Sequence, residues 1–294
     1  MSFIVAHYTT FHSVKPLTIL PMKKILLILN GTLTPPHIME AAINLAYSTS
    51  SLLHAVFIDY ELDLAEYNYF FPNDLALTRN NLTGKNIAEE NAALIDANIQ
   101  LFEDECERSK VNYYVEKGKS ITLGDLLNYS IFSDIIMADA NEDLREHHIT
   151  DLLVKAHCPV YLISKHVPAP ENIILTYDGS ASSVYSIKLY SYLFPEFRSL
   201  PTQLVFINSE KKEQLPQEQN IKRWLTTHFS NLHIKVIHGD VSGELVNYVK
   251  TISNPLTVMG SFGRSLMARI FHKSPANEVI EKARSSVFIT HEQH

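Results

Sequence analysis

The chain has 294 residues, 46% of them apolar and 19% charged, with a mean hydropathy of −0.03. That composition fits one large or two ordinary globular domains and excludes collagen-like, low-complexity and disordered classes. The net charge of −7 is uneven: residues 1–166 hold 12 Lys/Arg against 21 Asp/Glu, and residues 167–294 hold 13 against 11. The front half therefore disfavours nucleic acid or an anionic membrane, while the back half tolerates an anionic ligand.

Residues 1–21 have no basic start and no clear small-residue cleavage site, and read as a poorly ordered N-terminal extension rather than a signal peptide. From there, short aliphatic runs at 24–29, 54–58, 111–116, 134–137 and 159–163 alternate with longer amphipathic stretches such as 87–108. The alternation resumes with runs at 172–176, 203–207, 233–238, 256–259 and 286–290, separated by stretches that include 180–193 and 241–250. Strands alternating with helices predict parallel sheets with right-handed crossovers.

The two halves also match each other. KILLILNGT from Lys24 matches NIILTYDGS from Asn172, and YVEKGKS from Tyr114 matches VIHGDV so that Gly118 falls against Gly239. IIMADANEDL from Ile135 matches TVMGSFGRSL from Thr257, and PVYLI from Pro159 matches SVFIT from Ser286. A repeat of this length is a domain duplication. It divides the chain into 22–166 and 167–294, joined by a proline-containing linker at 165–170. The front copy carries extra residues at about 59–85, including Tyr60, Tyr67, Tyr69, Phe70 and Phe71. Such a long connection is a candidate lid or partner surface.

Glycine is scarce, with 9 residues or about 3% where ~7% is usual, so each position carries information. Five of them (Gly179, Gly239, Gly243, Gly260 and Gly263) fall in the back copy, most at strand ends, and none of the front four follows that copy's fourth strand. In an open parallel sheet, ligands sit at the carboxyl ends of the strands near the switch point. The back copy places there Asp178-Gly179-Ser180, Gly239-Asp240 and the run from Met259 through Gly260, Gly263 and Arg264. Ser180 is a candidate helix N-cap. Farther on, His272, Lys273, Ser274 and Pro275 combine basic side chains with a helix-start signature that suits phosphate.

The other chemistry-bearing residues read as structural. The fourteen histidines include the adjacent His147 and His148 and the terminal His291 and His294, but form no group with metal-ligand spacing, so no metal site is expected. Cys158 reads as a small core residue, and acidic neighbours of Cys106 disfavour a thiolate. Asp178 has a plain alternative role, bracing the turn after its strand. Trp224 reads as packing on a helix at 221–229, and Lys211-Lys212-Glu213 as a solvated helix start. With no Gly-x-Ser-x-Gly motif, serine-triad hydrolysis is not expected.

In NIILTYDGS, VMGSFGRS and SVFIT the chain resembles a tandem universal stress protein of the UspA family, and the resemblance runs twice over nearly the whole chain from Met22. It implies an α/β fold of two tandem Rossmann-like or flavodoxin-like domains, each a five-stranded, mainly parallel sheet with helices on both faces. ATP-binding members carry Gly-x2-Gly-x9-Gly-[Ser/Thr] after strand four. Gly260, Gly263 and Ser274 match that pattern, and Lys273 stands where the third glycine belongs. A left-handed backbone at that position costs a lysine more than a glycine.

The resemblance implies a cytoplasmic stress-response protein holding ATP or a related adenine nucleotide, with Mg2+ on the phosphates, in the back domain. The implied contacts are Thr176, Asp178, Ile207, Met259, Gly260, Gly263, Arg264, Lys273 and Ser274. Asp178 lies at the nucleoside end, strand two near Ile207 at the adenine, and Arg264, Lys273 and Ser274 at the phosphates. No general base for fast hydrolysis is evident, so catalysis would be slow at most. In the front copy Asn30 replaces the acidic residue, Ala138 and Asn141 stand opposite Gly260 and Gly263, and Asp139, Glu142 and Asp143 oppose phosphate, so no nucleotide is expected there. The two domains should pair through PVYLI and SVFIT as an internal pseudo-dimer, with further homodimerisation open. The alternative function is a nucleotide-free interaction module that binds a protein or an apolar small molecule through the aromatic insertion.

Overall fold

A computed structural model describes residues 23–58, 84–118, 121–140, 152–153, 155–167, 169–209, 213–260 and 285–290. The described strands are β1 (Lys24–Asn30), β2 (Leu52–Ile58), β3 (Asn112–Gly118), β4 (Ile135–Asp139), β5 (Val160–Ile163), β6 (Asn172–Tyr177), β7 (Thr202–Asn208), β8 (Leu232–His238), β9 (Pro255–Met259) and β10 (Ser286–Ile289). Among the described residues the helices are α1 (Pro36–Thr49), α2 (Gly84–Ser109), α3 (Leu123–Ile131), α4 (Ala181–Leu193), α5 (Glu218–His228) and α6 (Val241–Val249). Most of the aromatic insertion lies outside the described residues; its last two positions, Gly84 and Lys85, open α2.

All ten strands form one sheet in the order β3-β2-β1-β4-β5-β10-β9-β6-β7-β8. Each half repeats the spatial order 3-2-1-4-5 with parallel neighbours. The halves meet where β5 and β10 pair antiparallel, Tyr161 opposite Phe288 and Leu162 opposite Val287. That is the expected pairing of PVYLI with SVFIT, and it joins the two domains into a continuous sheet.

The central strands are aliphatic because both of their faces are covered: β4, β5, β9 and β10 are buried at every position. One apolar core lies on each face, and each core runs across the seam into both halves. On one face the seam is aromatic. Tyr161 of the front half meets Phe194 at 5.6 Å between ring centroids, and Phe194 and Tyr190 meet Phe288 at 5.7 and 5.6 Å. Beside them Lys23 Nζ lies 3.7 Å from Glu196 Oε1 and 5.3 Å above the Phe194 ring, so a buried lysine of the front half faces a carboxylate of the back half. Burial holds the Lys23 ammonium below its ordinary pKa, with Glu196 opposing the shift.

Ser286 secures the linker. Its hydroxyl accepts from Ser164 N at 3.0 Å and donates to Val167 O at 2.8 Å. Helix starts follow local chemistry. Thr122 and Asp125 form a reciprocal capping box at α3, Ser180 accepts from Ser183 N at α4, and Asp240 accepts from Gly243 N at α6.

Two sequence expectations need correction. Glu213 is not helical, and α5 begins only at Glu218. The cause is Pro216: the residue before a proline is kept from the helical region, and Gln217, at φ 48°, precedes the first helical residue. Gly118 is also not the counterpart of Gly239, because Gly118 ends β3 within the ladder whereas Gly239 lies beyond β8. Trp224 does pack against the core and stacks on His228, as expected.

The Phe288 ring is fully buried against Tyr190 and Phe194, and its backbone pairs across the seam with Tyr161. Phe288→Ala should therefore lower unfolding free energy by about 3–5 kcal/mol, read as a lower urea midpoint at unchanged m-value.

Candidate functional site

A cleft opens at the carboxyl ends of β6, β7 and β9, between the first turns of α4 and α6. Thr176, Asp178, Ser183, Ile207, Val241, Leu245, Met259 and Gly260 line it, and its enclosed volume is about 30 Å³. β6 has β9 on one side and β7 on the other, so the cleft sits at the switch point of the back half's strand order, where open parallel sheets bind ligands. Its interior is narrow and mainly apolar, and Asp178 is the one ionised group that the described residues bring to it.

Two glycines shape the cleft for different reasons. Gly179 has φ +86°, and a Cβ there would fall 2.4 Å from Pro216 Cβ, so both conformation and space demand glycine. Gly260 is fixed by approach alone, because a Cβ would lie 2.7 Å from Ser182 O. α4 comes this close because Ser182, Ser183 and Ser186 put small side chains on its buried face. Ser186 Oγ then donates to Met259 O at 2.7 Å, and Thr176 Oγ1 to Val258 O at 2.9 Å. The end of β9 is held from both sides.

Asp178 braces its own turn. Its Oδ1 accepts from Ser180 N at 2.9 Å and from Ser180 Oγ at 2.6 Å. The neighbouring Tyr177 hydroxyl donates to Pro216 O at 2.7 Å, and burial, helped by Asp178, raises its pKa and keeps the phenol neutral.

Thus five of the residues picked from sequence (Thr176, Asp178, Ile207, Met259 and Gly260) meet in one cleft. Gly263, Arg264, Lys273 and Ser274 lie outside the described residues, as do Asn141, Glu142, Asp143, His147, His148, His291 and His294. Sequence reading missed Ser183, Val205, Val241 and Leu245. Their signals were spacing: Val205 is two residues from Ile207 on one strand face, and Val241 and Leu245 are one helical turn apart.

The front half repeats the turn that Asp178 braces. Asn30 Oδ1 accepts from Thr32 N at 3.1 Å, Thr32 Oγ1 at 3.0 Å and Leu33 N at 3.1 Å, and so does the bracing of Asp178 without its charge. Strand register corrects the alignment at the next position. Leu27 pairs with Met137, and its repeat partner Leu175 pairs with Val258. Met137 and Val258 share one core, whereas Met259 faces the other. It is therefore Asp139, not Ala138, that stands opposite Gly260. Asp139 is buried, with its carboxylate 3.2 Å from His37 Nε2, so a carboxylate side chain stands where the back half has only the Gly260 backbone.

Both cysteines are buried. Burial first, and then Glu103 and Glu105, push the Cys106 thiol up to about 12; burial and Asp134 do the same for Cys158. No group of three or more metal-ligating side chains occurs among the described residues, and none of the described helices is long and apolar enough to cross a membrane.

The architecture defines an α/β protein with two Rossmann-like halves in one sheet. Residues 192–291 match the model of the Universal stress protein family. A universal stress protein from Archaeoglobus fulgidus shares the fold at 11% identity, over 92% of this chain and 96% of that one, with a TM-score of 0.64. A protein of unknown function from Pseudomonas aeruginosa follows at 13% identity, covering 93% and 94% of the two chains, with a TM-score of 0.50. No curated protein matches the sequence.

Both thiols are predicted to resist iodoacetamide at about pH 8 in the native protein and to react fully in denaturant. Mass spectrometry of the alkylated protein reads the difference.

Proposed function

We propose that the protein is a cytoplasmic stress-response protein that holds ATP or a related adenine nucleotide in its C-terminal domain, residues 167–294, as a regulatory ligand. The observation that carries this reading is the convergence of Thr176, Asp178, Ile207, Met259 and Gly260, drawn from three strands, on one cleft at the switch point. An apolar slot between Ile207, Val241 and Met259 suits a flat purine ring. Asp178 at the rim, with its Oδ1 already turned to Ser180, suits a sugar hydroxyl. Bare backbone at Gly260 suits close approach of the ligand. Arg264, Lys273 and Ser274, with Gly263, are proposed for the phosphates and their Mg2+. Among the described lining residues Asp178 is the one ionised group and its Oδ1 is engaged by Ser180, so signalling by occupancy is proposed rather than turnover. The front domain, residues 22–166, is proposed to hold no nucleotide, since the buried carboxylate of Asp139 stands there opposite Gly260 with His37 beside it.

Calorimetric titration with ATP and Mg2+ tests the reading. Binding heat is expected for the wild-type chain and its loss for Gly260→Val, whose side chain would be driven into Ser182 O. Absence of heat with folded wild-type protein overturns the proposal. Asp178→Asn separates fold from contact. Asn30 shows that the amide braces the same turn, so affinity should fall about tenfold, the loss of a charge-assisted hydrogen bond, at unchanged thermal stability.

A further inference from the structure

On the far side of the front half, away from the cleft, β2 carries His54, only 2% exposed and on the sheet face shared with Val56 and Ile58. The imidazole is stacked on Tyr114 of β3, with ring centroids 4.2 Å apart and planes 19° apart, and meets Tyr129 of α3 edge-on at 4.9 Å. Its Nε2 lies 3.2 Å from Glu116 Oε1 but out of hydrogen-bonding alignment, and neither ring nitrogen has a hydrogen-bond partner. Aromatic surfaces from two elements therefore clamp an imidazole at the outer edge of the sheet.

The charged and titratable groups around it come from every described element packed there. β3 supplies Glu116, whose side chain is partly open to solvent, and Tyr114. β1 supplies Lys24, with Nζ 5.4 Å above the Tyr114 ring; the Lys24 amide donates to Asp134 Oδ2. α3 supplies Tyr129, whose phenol is pushed up to about 12, first by the neighbouring Glu116 side chain, then by burial and by the charge of Asp125. Glu116 alone favours a charged imidazole; burial and Lys24 oppose it, and burial is the largest effect, so His54 holds its proton less tightly than an ordinary histidine.

We propose that His54 is an acid-sensitive latch on the front half, and that its protonation loosens the β2–β3–α3 edge while the β5–β10 seam and the back half stay closed. This goes beyond nucleotide binding and does not depend on it. The sign follows from linkage. With the folded pKa below the unfolded one, the unfolded or opened state takes up the proton first. Stability of the edge is therefore full above about pH 6.5, the ordinary histidine value, and falls as pH drops from there toward the folded pKa. In that window one proton is linked to opening, which changes the opening equilibrium by up to about tenfold per pH unit. β3 is the sheet's terminal strand, paired only with β2 among the described residues, so no second neighbour holds it when the clamp fails.

Amide hydrogen exchange on the full chain tests the latch at about pH 7.5 and about pH 5.5, which bracket the ordinary histidine value, with intrinsic rates corrected. Peptides covering 52–58 and 112–118 should lose protection at the lower pH, while peptides covering 172–177 keep theirs. His54→Phe keeps a ring on Tyr114 and removes the titration, so it should abolish the difference. Glu116→Gln removes the one group that favours the charged imidazole and should widen it. A wild-type edge indifferent to pH, or an undiminished response in His54→Phe, overturns the proposal. Should His54→Phe not fold, NMR titration of the wild-type imidazole decides: a pKa below the ordinary histidine value supports the latch, and one at or above it overturns the latch.

Discussion

The structure depends on the pairing of two edges. A five-stranded parallel unit ends in a strand whose outer amides and carbonyls are unpaired, an invitation to aggregation. Here β5 and β10 close each other's edges, and in doing so turn two domains into one sheet with cores continuous on both faces. The side chains at the seam follow from that role. They are large and aromatic where the cores of the two halves merge, and small and hydroxylated at Ser164 and Ser286, where the linker must be tied down. The Lys23–Glu196 pair is of a different kind. A buried ion pair contributes little net stability once desolvation is counted, whereas removing one partner leaves an uncompensated buried charge.

The same duplication shows how two copies of one unit come to differ at a strand end with few changes. The turn after the first strand has kept its shape in both, because Asn30 and Asp178 accept the same kind of backbone hydrogen bond. The end of the fourth strand has not. The back copy has no side chain at Gly260, and α4 presents serines so that helix and strand touch backbone to backbone. The front copy has Asp139 there, and α1 answers it with His37.

Most of the fold was legible in the sequence because buried parallel strands are written as uninterrupted aliphatic runs, and all ten such runs became strands. The pairing of the last strands was legible too, although only through family resemblance. What failed was fine register. Aligning Met137 on Met259 matches identical residues, yet side chains alternate faces along a strand, and a slip of one places them in opposite cores. An apolar run carries little information about which of its residues faces which side. The helix start near Glu213 failed for a related reason: charge and polarity suggest an exposed first turn, whereas Pro216 decides where the turn can begin. In the site, the residues with unusual chemistry, Asp178 and Gly260, were legible. The apolar walls Val241 and Leu245 were not, since nothing in their type separates a wall from a core.

Antiparallel closure at the seam also sets the polarity of the whole particle. Strands of the two halves run in opposite directions, so their carboxyl ends lie at opposite rims of the sheet. The cleft of the back half therefore shares its rim with the amino ends of the front strands, the edge that carries Lys23, Ser51 and Asp134. Any body broad enough to cover the cleft and reach past the seam meets loops of two unlike kinds, the turns that cradle a ligand on one side and the plain entries to strands on the other. A symmetric pair of identical chains would offer each cleft the same such border. In this chain, whose halves have diverged, the cleft of the back half has a border that belongs to a different sequence.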